Sequence, residues 1–236
     1  MQLSRAVLFT AWLQGGLVAA CDKHPTSPPY DPVLPTDWAA DITNPWFPFL
    51  PGSSQRFEQQ TDEGLETVVV EMLTVRRTVN GVSAVVVHDR VYLEGDLIED
   101  TYDWYAQDSS GNVWYLGEDS KEIENGQVVS THGSWEWAVD GALPGIIMWA
   151  NPGQHIGEEY RQEFYEGEAE DWAKVLAVGE TVVVPAGTFT NCVRTDEWNG
   201  LESASHEDKL FCSGIGFTLG LPQGGGRVEL LERTGS

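Results

Sequence analysis

Residues 65–93 read LETVVVEMLTVRRTVNGVSAVVVHDRVYL. Two β-branched runs, Leu65–Val79 and Val82–Leu93, flank Asn80-Gly81. Valine and threonine lose rotamer freedom in a helix and pack well on a pleated surface. Asn-Gly supplies the two positive φ angles that a two-residue hairpin turn requires. The stretch therefore predicts a long antiparallel hairpin, and the pattern repeats outward. Glu94-Gly95-Asp96 turns into Ile98–Gln107, Asp108-Ser109-Ser110-Gly111 turns into Asn112–Leu116, and Asn125-Gly126 marks another turn. Strands are also expected at Gln55–Gln60, Tyr160–Tyr165, Ala169–Val178, Thr181–Val184, Thr188–Trp198, Asp208–Cys212, Ile215–Leu219 and Arg227–Glu232. Turn signals at such short intervals make an all-β meander. One stretch, 168–177, also has helical spacing through Ala169, Trp172, Ala173 and Leu176.

The 236-residue chain carries a net charge of −24. Nucleic acids and anionic lipid surfaces attract basic patches, so both are excluded as partners by charge. An acidic solvated surface, a cationic ligand or a divalent metal remains compatible. Residues 1–20 have the form of an export signal: Arg5, then the apolar run AVLFTAWLQGGLVAA with no acid. Leu17-Val18-Ala19-Ala20-Cys21 resembles the lipobox of bacterial lipoproteins, which makes Cys21 the expected lipidated residue and the membrane a partner through that anchor. Residues 21–40, with Pro25, Pro28, Pro29, Pro32 and Pro35, read as an extended tether. Residues 41–236 form the expected β domain. The aromatics of Asn44–Gly52, NPWFPFLPG, are expected to plug one end of it. Cys192 and Cys212 are an even pair for an oxidising compartment and sit opposite each other if their strands form a hairpin around Leu201–Ser203. A disulfide is therefore expected.

Carboxylates interleave with aromatics in Leu97–Gly117, LIEDTYDWYAQDSSGNVWYLG. Along that strand one face shows Glu99, Thr101, Asp103 and Tyr105, and the other shows Asp100, Tyr102 and Trp104. Either face sets a carboxylate beside aromatic surface, where it can bind a cation or hydroxyl, or act as an acid or base. The Trp-rich stretch 132–157 is expected to be a covering loop that places Trp135, Glu136 and Trp137 over this hairpin. Gln162 and Glu163 lie on a later strand with opposed faces, so one of them is expected to line the site. The predicted ligand contacts are thus Glu99, Asp100, Asp103, Trp104, Trp135, Glu136, Trp137, Gln162 and Glu163.

Each candidate has a plainer reading. Strand carboxylates pair with neighbours such as Arg90, loop tryptophans fill a core, and the run Glu166, Glu168, Glu170, Asp171 is a solvated turn without calcium-loop spacing. The five histidines have no paired metal-ligand spacing, and a zinc site from His88, His132 and Glu136 has no local support. Neither a metal nor a cofactor is expected. No nucleophile elbow, HExxH or dinucleotide fingerprint is present.

Five motifs together, NPWFPFLPG, EDTYDWYAQD with GNVWY, YRQEFYEGEAED, VPAGTF at Val184–Phe189 and GIG at Gly214–Gly216, resemble a family of uncharacterised bacterial lipoproteins and secreted β-proteins. The resemblance spans about residues 44–232. It implies a single-domain, strongly curved antiparallel sheet or half-barrel of the lipoprotein-carrier kind, which often encloses a hydrophobic cavity. It carries no activity with it. The resulting expectation is an exported, lipid-anchored envelope protein that binds a small apolar, sugar-like or cationic ligand. The alternatives are a glycosidase-like hydrolase using Glu99, Asp103, Glu136 and Glu163, and an interaction protein without a small ligand.

Overall fold

The computed structural model describes residues 30–201 and 205–235. The export signal, Cys21 and residues 21–29 of the tether lie outside them. The strands are β1 (Ser54–Gln60), β2 (Leu65–Val79), β3 (Val82–Leu93), β4 (Asp96–Gln107), β5 (Val113–Glu124), β6 (Gln127–Ser130), β7 (Trp135–Glu136) and β8 (Leu143–Met148). They continue as β9 (Glu159–Arg161), β10 (Glu163–Phe164), β11 (Asp171–Val184), β12 (Gly187–Asn199), β13 (His206–Cys212), β14 (Gly216–Pro222) and β15 (Val228–Thr234). The fold is all-β: one large sheet ordered β10-β8-β5-β4-β3-β2-β1-β15-β14-β13-β12-β11-β9, with β6 and β7 also on β5. Every pairing between named strands is antiparallel.

The sheet curls without closing into a barrel. Its terminal strands β9 and β10 do not pair with each other, yet they follow one another in the chain with only Gln162 between them. Residues 159–164 therefore bind one sheet edge through Tyr160↔Ala173 and the other through Glu163↔Pro144. Gly145 makes this possible. A Cβ there would meet the Arg161 carbonyl oxygen at 2.4 Å, so only glycine lets the segment cross β8.

The two ends of the curled sheet differ. At one end lie the β2–β3, β4–β5, β11–β12 and β13–β14 turns, and residues 42–49 plug it. Both Thr43 N–H and Asn44 N–H donate to Gln107 Oε1 at 2.8 Å, and Phe47 packs on Tyr105 at 5.0 Å. Gly214 N–H closes the plug by donating to the Pro45 carbonyl at 2.7 Å. Beneath it sits the apolar core, including Phe57, Val79, Val85, Phe211, Phe217 and Leu230. The opposite end carries the β1–β2, β3–β4, β5–β6, β12–β13 and β14–β15 turns, and the interior there is polar. Cys192 and Cys212 are direct cross-strand partners near the plugged end and form the expected disulfide.

Three local expectations change. The strands expected at Ala169–Val178 and Thr181–Val184 are one continuous strand, and the helical alternative for 168–177 falls, because β12 pairs along nearly its whole length; register shifts near Gly179 absorb the apparent break. The stretch 132–157 is not simply a covering loop. Trp135–Glu136 and Leu143–Met148 pair with β5 and extend the sheet, because the long β5 needs a partner along its edge. Gly117 on β5 and Gly145 on β8 mark close backbone approaches within the sheet. At Gly117 (φ +139°) a Cβ would meet the Trp135 carbonyl oxygen at 2.4 Å. Residues 30–40, expected as tether, lie along the domain. Tyr30 OH donates to the Pro144 carbonyl at 3.0 Å, and Trp38 packs against Trp114 and Trp137.

Candidate functional site

Strand register assembles the polar interior. One cross-strand row runs Val87–Asp103–Glu118–Trp135, and the next runs Val70–Asp89–Thr101–Ser120. On the facing wall, Ala173–Glu197–Glu207 and Val175–Thr195–Lys209 form two more rows. Alternation puts each row on one face of the sheet. The walls are close enough for the Lys209 charge to reach both Asp89 and Asp171, and for Asp171 to act on Glu118 and Glu163.

These acids are buried deeply: Asp103 is 0% exposed, Glu163 1%, and Asp89 and Glu118 2% each. Some have partners. Tyr115 OH donates to Asp103 Oδ1 at 2.5 Å, and Trp135 Nε1–H donates to Glu163 Oε2 at 2.6 Å. Lys209 Nζ lies 3.0 Å from Glu197 and 3.9 Å from Glu207. Others have none. Among the described residues, no hydrogen-bond donor reaches either carboxylate oxygen of Asp89 or of Glu118, nor Glu163 Oε1. A buried polar atom left unpaired costs about 1–3 kcal/mol, and more if charged.

Burial sets the proton affinities. It pushes the Asp103 carboxyl up to about 7 against the lowering bond from Tyr115, with Glu99 adding to the rise. Asp171 and Glu207 are also pushed up to about 7 by burial, and the Lys209 charge opposes both rises. Burial raises Asp89, Glu118 and Glu163 well above the carboxylate range, with Asp103, Glu163 and Asp171 respectively as the largest like-charge contributions. Burial works against the charge of Lys209, but Glu197 and Glu207 hold its pKa above the ordinary lysine value. Two walls of acids around one paired lysine can hold protons or cations. They make an unfavourable environment for an anion or a purely apolar molecule.

The predicted residues divide between the two faces of the sheet. Glu99, Asp103, Trp135 and Glu163 share the interior rows. Asp100, Trp104 and Glu136 share the outer face. There Asp100 pairs with His88 at 2.6 Å, Glu136 pairs with Arg77 at 2.5 Å, and the Arg77 guanidinium lies 3.8 Å over the Trp104 ring. Trp137 is buried against Trp38. Gln162 is the buried junction residue between β9 and β10. Sequence reading missed Asp89, Glu118, Glu197, Glu207 and Lys209. Glu118 faces inward through a register shift: Trp104 pairs with Gly117 and Tyr105 with Tyr115, so Leu116 is an extra residue. A carboxylate in an alternating strand was the available signal for Asp89.

The other polar clusters are accounted for locally. Glu170 pairs with Arg161 at 3.1 Å, and His132 lies 3.3 Å from Glu168. Among the described residues no group of three or more His, Cys, Asp or Glu side chains could hold a metal ion. A separate groove of about 840 Å³ on the outside is lined in part by Tyr30, Leu34, Trp114, Trp149, Arg161 and Trp172.

No family model matches the chain, and no curated protein matches it. Two crystal structures share part of its shape. An exported protein from Bacteroides fragilis with a YmcC-like fold is 16% identical, at a TM-score of 0.46, over 80% of this chain and 98% of its own. A lipoprotein from Parabacteroides distasonis is 9% identical, at a TM-score of 0.38, over the same shares. Likeness this distant leaves the functional argument with the chain's own residues.

Proposed function

We propose that this is an exported, lipid-anchored envelope protein that binds a small polar ligand in the acidic interior of its curled sheet. The anchor reading rests on residues 1–21. The Cys192–Cys212 disulfide supports an oxidising compartment. One observation carries the binding reading: the carboxylates of Asp89 and Glu118 are buried with no donor in reach among the described residues. Folding does not bury such groups without compensation unless another requirement maintains them. Asp103 and Glu163, with Tyr115 and Trp135, supply oriented polar groups beside them. The acidic lining of the interior disfavours the apolar ligand that the sequence also allowed. A carboxylate hydrolase loses Glu136, which pairs with Arg77 on the outer face.

Native mass spectrometry of the exported protein, purified without denaturation, tests the reading. A small molecule should be retained at one per chain, and Asp103→Asn should release it. A bare-chain mass, together with no compound of a metabolite mixture slowing hydrogen exchange in β4 and β5, would refute interior binding.

A further inference from the structure

The geometry points to a docking cleft for an extended basic peptide of a partner protein, between the β3–β4 and β5–β6 turns at the unplugged end of the sheet. This cleft lies outside the acidic interior, and the inference is independent of binding there.

Strand pairing makes the cleft. The β4–β5 ladder stops at Glu99↔Glu122, although β4 begins at Asp96 and β5 runs on to Glu124. Beyond that point each hairpin pairs only with itself. Asp96 and Leu97 pair with Leu93 and Tyr92, while Ile123 and Glu124 pair with Val128 and Gln127. A bulge flanks the parting on each side, between Val91 and Tyr92 and between Glu122 and Ile123. Bulges bend a strand and end its pairing, so the two tips splay apart. Residues 96–98 and 123–124 thus face the gap with no strand partner on that side among the described residues.

The gap has the size and lining of a binding site. It spans about 620 Å³, a volume in the range of ligand clefts. Its apolar lining, Leu93, Leu97, Ile98 and Ile123, is only half-buried. Asp96, Glu122 and Glu124 stand around it, and none of the three has an ion-pair or hydrogen-bond partner among the described residues. Further along the same two strands the acids are paired, Asp100 with His88 and Asp119 with Lys121. Unpaired acids therefore coincide with the place where the ladder opens.

Charge and backbone geometry together choose the occupant. An apolar floor ringed by acids complements apolar side chains interleaved with lysine or arginine. The two open strand edges offer donors and acceptors to an extended main chain, as strand addition requires. A second copy of this chain would bring its own net charge of −24 to the same acids and is repelled.

Isothermal titration of the folded protein with the capped peptide Lys-Val-Lys-Val-Lys-Val-Lys tests the inference. The controls are a Lys-Ser repeat and a Glu-Val repeat of the same length. The Lys-Val peptide should bind at one site, at least tenfold tighter than the Lys-Ser peptide, and the Glu-Val peptide should not bind. Raising NaCl from about 0.05 M to about 0.3 M should weaken it several-fold. Bound peptide should slow hydrogen exchange at residues 96–98 and 123–124. The isosteric triple variant Asp96→Asn, Glu122→Gln, Glu124→Gln should weaken binding at least tenfold. A second triple variant, Asp41→Asn, Glu180→Gln, Glu232→Gln, removes as many charges elsewhere and should change it less than twofold. Thermal melts of both show that they are folded, and Leu97→Ser, which removes floor rather than charge, should weaken binding independently. Equal loss in the two triple variants, binding at many sites, or equal affinity for the Lys-Ser peptide would mean attraction to the acidic surface as a whole and overturns the cleft. So does protection confined to other strands, or no binding of the Lys-Val peptide at the lower salt.

Discussion

The inner and outer faces of the sheet around β2–β5 and β7 both carry acids and treat them in opposite ways. Outside, each of four acids has a basic side chain at hand. Asp100 meets His88, Glu71 meets Arg90, Asp119 meets Lys121 at 2.8 Å, and Glu136 meets Arg77. Inside, Asp89 and Glu118 have none within hydrogen-bond reach among the described residues. His88 and Asp89 are consecutive and fall on different sides of that divide. An ion pair at the surface contributes little because water already screens it. A carboxylate buried without a partner is costly, so its persistence points to a task. The outer face is thus built for solubility and the inner face for a guest.

The largest expected effect is on the pH dependence of stability. Asp103, Asp171 and Glu207 have folded pKa values of about 7, against about 4 when unfolded. The folded state therefore binds more protons between those values, and its stability falls as pH rises. The contribution is fully present near pH 4 and is lost as pH climbs through about 7. Each group accounts for on the order of 1–3 kcal/mol. A ligand-free melt should show Tm higher at pH 5 than at pH 8 by roughly 10 °C. Asp103→Asn should flatten the slope and surface Glu232→Gln should not. A Tm that rises with pH would erase the contrast between the faces.

Lys209→Met comes next. The lysine is the compensating charge on the β12–β13 wall, and its removal leaves Glu197 and Glu207 buried without it. Urea unfolding at pH 8 should show a loss of about 3–5 kcal/mol. At pH 5 the loss should shrink, because Glu207 then carries a proton. An equal loss at both pH values would mean that the lysine acts through packing of its stem alone.

The hairpin at Asn80-Gly81 and the disulfide pair were legible because each rests on local chemistry: a turn that needs positive φ, and two cysteines brought opposite by one hairpin. The interior was legible only by halves. Period-two alternation grouped Glu99, Asp103 and Tyr105 correctly, but alternation cannot say which face is inside. It therefore gave equal weight to Asp100 and Trp104, which face out. Glu136 failed for a related reason. Between two tryptophans it looked like part of a lid, whereas β7 is a strand whose alternation sends Trp135 inward and Glu136 out. Lys209 and Glu197 were not legible at all. Their role depends on the β11–β13 wall curling round to face β3–β5, a long-range outcome that no local spacing records.

A smaller effect separates the faces within one strand pair. Glu118→Gln keeps the shape of the protonated acid and removes its titration. At pH 8 in ligand-free protein it should stabilise by about 1 kcal/mol, the cost of an unpaired buried polar acid, and at pH 5 it should be neutral. Denaturation at both pH values reads this directly. Destabilisation at both would show that Glu118 has a structural partner.

The smallest effect belongs outside. Arg77→Ala alone is a poor probe, because the guanidinium also covers Trp104 and its loss removes packing. A double-mutant cycle with Glu136→Gln subtracts that packing and leaves the pair itself. With Arg77 and Glu136 both partly exposed, the coupling should be about 0.2–1 kcal/mol and should fade in 1 M NaCl. A coupling several times larger that persists in salt would mean that the Arg77–Glu136–Trp104 patch is desolvated. The outer face would then hold a site of its own, and the predicted cluster of Trp104 and Glu136 would regain its functional meaning. A small, salt-sensitive value instead leaves Glu136 as a solubility residue and the acidic interior as the place where the ligand must be sought.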